Sequence, residues 1–142
     1  MLYGVLKAIH VLSAILWVGG MFFAYVVLRP SLGILEPPQR LALHGQVFRR
    51  FFLIIWHAMP LIVLTGIAMI FALYGGMAGV PWNVNVMMLL GLVMAAVFLV
   101  IFFGPYRTFR TAPGPGPLDS IRKLIGVNLI LGLLIAAIAV LG

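Results

Sequence analysis

Three histidines and a few methionines hold most of the coordination chemistry this sequence offers. His10 and His57 fall inside long apolar stretches, and His44 stands among polar and charged residues. An ionisable side chain at membrane depth is costly, so it marks either a bound group or a hydrogen bond between helices. A neutral imidazole serves metal ions and haem iron alike. Both readings stay open for His10 and His57, whereas His44 reads as a solvated loop residue.

Met87 and Met88 stand near the start of the third apolar stretch, with Asn83 and Asn85 beside them. Imidazole with thioether suits Cu(I), and it is also a haem axial pair. The other reading of these methionines is apolar filling. At about 1.5 Å per residue, His10 is level with this group, while His57 lies about 10 Å away in depth, level with Asn128. Two separate sites fit those depths better than one ion shared by His10 and His57. Met59, close to His57, is a further thioether on a copper path.

Arg50 precedes His57 by seven residues and shares its helical face. It can pair with a haem propionate or a lipid phosphate, or snorkel to the interface. Ser13 and Ala14 lie one turn beyond His10, and Trp17 two turns beyond. Small residues there admit a flat macrocycle or a neighbouring helix. Pro60 predicts a kink near His57. Thr65-Gly66 and Gly132-x-x-x-Ala136 read as packing contacts. The candidate cofactor residues are therefore His10, His57, Met87, Met88 and Arg50, with the first four as candidate metal ligands.

The absent chemistry narrows the function. Cysteine is missing, which removes disulfides, thiolate metal sites and iron–sulfur clusters. The two carboxylates, Glu36 and Asp119, stand in or beside loops, and no acid lies in a span. Proton relays and cation carriers usually need one there. No phosphate-cradling glycine loop or Ser–His–Asp set occurs. What remains is a cofactor with its own redox chemistry, a copper path, or a structural subunit.

These residues must be positioned by membrane helices. Of 142 residues, 65% are hydrophobic and 8% charged, against about 45–50% and about 25% in soluble domains. Mean hydropathy is +1.26. One all-α membrane domain over residues 1–142 follows: a four-helix transmembrane bundle, antiparallel and up-down, with short loops. The spans are expected at roughly 3–28, 51–74, 82–106 and 120–142. The first apolar stretch is too long for a signal peptide and reads as a retained span. Pro30, Pro37 and Pro38 read as helix breakers in a loop over 29–50, with a short interfacial helix within 39–50. Ala112–Pro117 reads as a stiff extended stretch, and Asp119-Ser120 as the cap of the fourth span.

Charge sets the expected topology. The first loop carries Arg29, Arg40, Arg49 and Arg50 against Glu36, and the third region Arg107, Arg110, Arg122 and Lys123 against Asp119. The middle turn is uncharged. Basic loops stay cytoplasmic, so both termini are expected outside a bacterial inner membrane. The net charge of +7 is thus a membrane-edge feature, and nucleic acid is not a partner.

The order and spacing of several short motifs resemble the bacterial CopD family of copper resistance membrane proteins. They are Lys7-x-x-His10, Leu16-Trp17-Val18-Gly19-Gly20, Leu28-Arg29-Pro30, Arg49-Arg50-Phe51-Phe52 with Trp56, Leu64-Thr65-Gly66, Met87, Phe103-Gly104-Pro105 and Arg122-x-x-x-x-Gly126-x-Asn128-x-x-x-Gly132. The layout is also similar to the HemJ family, haem-binding four-helix proteins of the oxygen-independent protoporphyrinogen oxidase type. That second likeness implies His10 as a haem b ligand. It also implies a lysine at the start of span three, where this sequence has Asn85 to Met88.

The resulting expectation is a b-type haem protein with a redox or electron-transfer role. It would exchange electrons with a quinol or a partner protein, which leaves a membrane oxidoreductase activity open. The alternative is a copper transport or handling protein. A HemJ-like oxidase or a cofactor-free subunit is the third reading. Glycine- and alanine-rich faces give a second copy of the chain a place to pack.

Overall fold

In lipid every backbone N–H and C=O must be satisfied within the protein, and helices do this segment by segment. The structure, a computed structural model, describes residues 1–141. Four helical stretches are long and apolar enough to cross a membrane: Leu2–Ile34, Pro37–Tyr74, Trp82–Thr111 and Pro115–Leu141. The chain is a multi-pass membrane protein. Residue 142, the expected end of span four, lies outside the described residues.

Helix α1 (Leu2–Phe22) passes through a wider π turn (Phe23–Leu28) into the short α2 (Arg29–Ser31). Helix α3 is one rod over Pro37–Tyr74. Helices α4 (Trp82–Phe103) and α5 (Pro105–Thr111) meet at Gly104, and α6 covers Pro115–Leu141.

Both expected basic loops are therefore shorter than the sequence suggested, and the prolines explain why. Proline stops a helix from within but starts one well, because the first N–H groups have no intrahelical acceptor. Pro37 follows Glu36, which forms a reciprocal capping box with Gln39. Of the segment read as a loop with a separate interfacial helix, residues 29–34 continue the first helical stretch and residues 37–50 are about the first four turns of α3. Pro115 likewise opens α6, ahead of the cap expected at Asp119-Ser120. The expected extended stretch shrinks to Ala112–Gly114. Helix α3 runs through Pro60 as one element and stops at Gly75, whose φ of 71° closes the end through a bond from its N–H to the Phe71 carbonyl.

The bundle closes around side chains from every span. Helix α1 packs on α3 and α6, and α4 packs on α6. Helices α3 and α4 meet mainly through rings: Phe52 and Trp56 each stack edge-on against Phe98 and Phe102. Gly20 lies against Phe51 while His10 reaches Ile62 and Thr65, so numbers fall on one helix as they rise on the other. Val11, Leu12, Ile15 and Leu16 on α1 are exposed, as are Leu89 and Val100 on α4. These faces suit acyl chains.

Gly132 lets α6 approach α1 and α4 closely. A Cβ built there would stand 2.8 Å from Val18 Cγ2 and 3.3 Å from Met94 Cε. Without an apolar driving force between helices, such close packing carries much of their association. Gly132→Leu is expected to cost about 1–3 kcal/mol by overpacking. A lowered melting temperature in detergent checks this; an unchanged one refutes the contact.

Candidate functional site

His10 is held by the opposite helix. Its Nδ1 lies 3.0 Å from the Ile62 carbonyl oxygen and 3.0 Å from Thr65 Oγ1, both on α3. A carbonyl oxygen only accepts, so Nδ1 carries the proton, and in the neutral imidazole Nε2 then keeps its lone pair. Thr65 directs its own hydroxyl to the Leu61 and Ile62 carbonyls, leaving its oxygen free to accept from His10. A backbone carbonyl behind the imidazole is the arrangement that orients metal-ligating histidines.

The cradle for that ring is Thr65-Gly66. A Cβ at Gly66 would stand 3.2 Å from His10 Cε1, so glycine lets the ring lie against the helix. The sequence showed these two residues as a packing contact; their contact is with the imidazole itself.

His57 stands elsewhere. It is exposed on the outer side of α3, and its Nδ1 lies 2.8 Å from the Leu53 carbonyl of the same helix. His10 contacts α3 five to nine residues beyond His57, about 8–13 Å along the axis. Arg50, likewise exposed, shares that outer face at the basic end.

Met87 and Met88 are half-buried on α4, which α1 does not pack against closely. Asn128 is not beside His57. It is 1% exposed and donates from Nδ2 to the Met94 carbonyl at 3.0 Å, tying α6 to α4.

The thioethers that do reach the interior are others. Met59 on α3, Met21 on α1 and Met94 on α4 are buried in the central cluster. Met59 is one turn from Ile62, which holds His10. Met94 meets Gly132 beside Val18, and Met21 follows Val18 by one turn. His10 and these three thioethers thus come from three helices of the bundle, α1, α3 and α4. Met21 and Met94 escaped the sequence reading because no polar neighbour marks them; for Met21 the available signal was its spacing of eleven residues, about three turns, from His10 on the same face of α1.

Among the described residues, no group of three or more His, Cys, Asp or Glu side chains is placed to hold a metal ion. The arrangement offers soft single donors spaced along the bundle. It does not offer a chelate for a resident hard cation.

A model of the family described as Copper resistance protein D matches residues 45–141. The match covers His57, Met59, Met87, Met88 and Met94; His10 and His44 lie before it. It carries the copper side of the resemblance noted above and lends nothing to the haem side. No curated protein and no solved structure matches the chain.

Proposed function

The chain belongs to the copper resistance protein D family, and from that premise we propose that it handles Cu(I) as cargo within the membrane. His10 takes the ion at its unprotonated Nε2, and the thioethers of Met59, Met94 and Met21 exchange it along the bundle interior. Cu(I) prefers such soft donors and tolerates low coordination numbers, so transfer needs ligand exchange and no change in oxidation state. The observation that supports this reading most is the Nδ1 bond of His10 to the Ile62 carbonyl. It fixes the tautomer and aims an uncharged donor. His57, on the lipid side, is the donor a second copy or a partner protein would meet. By the charge rule both termini face outside and the arginine-rich end faces the cytoplasm.

A haem reading draws on the same free Nε2. The family match names copper and lends nothing to haem, and that favours the copper reading.

The test is a competition titration of detergent-purified protein against a chromophoric Cu(I) chelator, with a visible spectrum beforehand. The protein should withdraw copper from the chelator and show no Soret band. Met94→Leu, which keeps the volume and removes the thioether, should weaken retention. Failure to compete would overturn the copper reading. A Soret band that sharpens on reduction would establish haem in its place.

A further inference from the structure

The end of the bundle where α3 and α6 begin holds a cleft of about 370 Å³, whose lining includes Arg29, Arg40, His44 and Arg122. No carboxylate lines it. Glu36 caps α3 with Gln39. Asp119 sits outside the lining, with Oδ1 3.6 Å from Arg122 Nη2 and Oδ2 3.1 Å from Lys123 Nζ.

Two polar atoms in this wall lack partners. His44, read from the sequence as a solvated loop residue, is 6% exposed within α3, and its Nδ1 has no hydrogen-bond partner. Its ring stacks on Phe48 with centroids 5.3 Å apart, which fixes its plane. Arg122 Nε is also buried without an acceptor. A buried donor left unmade costs more than most bonds return, so an unmet N–H on a guanidinium calls for an acceptor.

Arg40 braces the far wall. Its Nε donates to the Leu32 and Leu35 carbonyls at 3.1 and 2.7 Å, and Nη2 to Gly33 at 3.3 Å. Arg29 lies 5.3 Å over the Tyr25 ring, beside the exposed Val26 and Val27. Three guanidiniums and an imidazole thus converge on a space with no anion of the protein's own.

We infer that this cleft binds a phosphate group, with Arg29 and Arg122 as the charged fork and His44 as the donor at its floor. Guanidinium geometry matches phosphate oxygens, and basic clefts between membrane helices suit anionic headgroups. The phosphate has two sources, an anionic phospholipid or a soluble phosphate, and the experiment separates them.

Delipidated protein in a neutral detergent is heated with phosphatidylglycerol, with phosphatidylcholine, or with inorganic phosphate. The expected result is a raised melting temperature with phosphatidylglycerol or inorganic phosphate, at concentrations where phosphatidylcholine does nothing. Stabilisation by phosphatidylglycerol alone assigns a lipid; stabilisation by inorganic phosphate as well assigns the phosphate group itself. Arg122→Gln and His44→Gln should each shift the midpoint concentration by about tenfold or more. Lys123→Gln, outside the lining, should not. Arg29→Gln gives a further variant at a half-exposed position should either of the first two fold poorly. No stabilisation of the wild-type protein, equal stabilisation by phosphatidylcholine, or an unchanged midpoint in the cleft variants would overturn the assignment.

Discussion

His10→Ala removes Cu(I) binding from the purified protein, while His57→Ala leaves it in place. The expectation rests on how each imidazole is held. His10 is oriented from outside its own helix, by the Ile62 carbonyl and the Thr65 hydroxyl. The ring therefore cannot turn without giving up a partner across the helix interface. His57 is fixed only by its own helix, on the lipid side. Thr65→Val separates ligand from support. It keeps the branched shape and the Ile62 carbonyl but deletes one acceptor for the Nδ1 proton. Loss of such outer partners typically costs 10–100-fold in metal affinity, and a weakening of about tenfold is expected here. Competition titration of the three variants, with circular dichroism to confirm the helices, decides it. Affinity retained in His10→Ala and lost in His57→Ala would move the site to the outer face of α3.

Apolar period and length made the spans legible, and counting residues for depth separated His10 from His57. The same counting could not give azimuth. His57 was readable as intramembrane, yet which side of α3 it takes depends on where α1 and α4 settle. Met87 and Met88 share His10's depth by count, but count alone does not say which way they face on α4. Proline was the other source of error. Pro37, Pro38 and Pro115 look like breaks in the sequence, but their position after a capping residue or a short turn makes them helix starts. That reversal hid His44. Once α3 begins at Pro37, His44, Phe48, Phe52, Ile55 and Met59 fall on one buried stripe, and the histidine moves from a loop into the wall of a basic cleft. Depth is written along one segment of chain; facing is written jointly by several.

Phe52→Ala should be the most damaging single truncation in the bundle, and the reason is contact, not hydropathy. Phe52 is 1% exposed. Its ring centroid lies 4.7 Å from Tyr106, 5.4 Å from Phe48 and 5.7 Å from Phe98. Those three partners come from α3, α4 and α5, so one ring joins three helices. In water, Phe→Ala in a core costs about 3–5 kcal/mol, part of it for transfer of apolar area. In a membrane the transfer part shrinks, because acyl chains are as apolar as the core. What stays is the lost dispersion and the cavity, since a hole lined by rings has no partner atoms on one side. The expected loss therefore falls at the lower end, about 3 kcal/mol. Leu53→Ala provides the contrast. Leu53 is 61% exposed, and lipid fills the space its side chain leaves, so little change is expected. Denaturation in mixed micelles compares the pair. If Leu53→Ala proved as costly as Phe52→Ala, the ring cluster would not be what holds α3, α4 and α5 together, and side-chain contact with lipid would outweigh ring packing in this bundle.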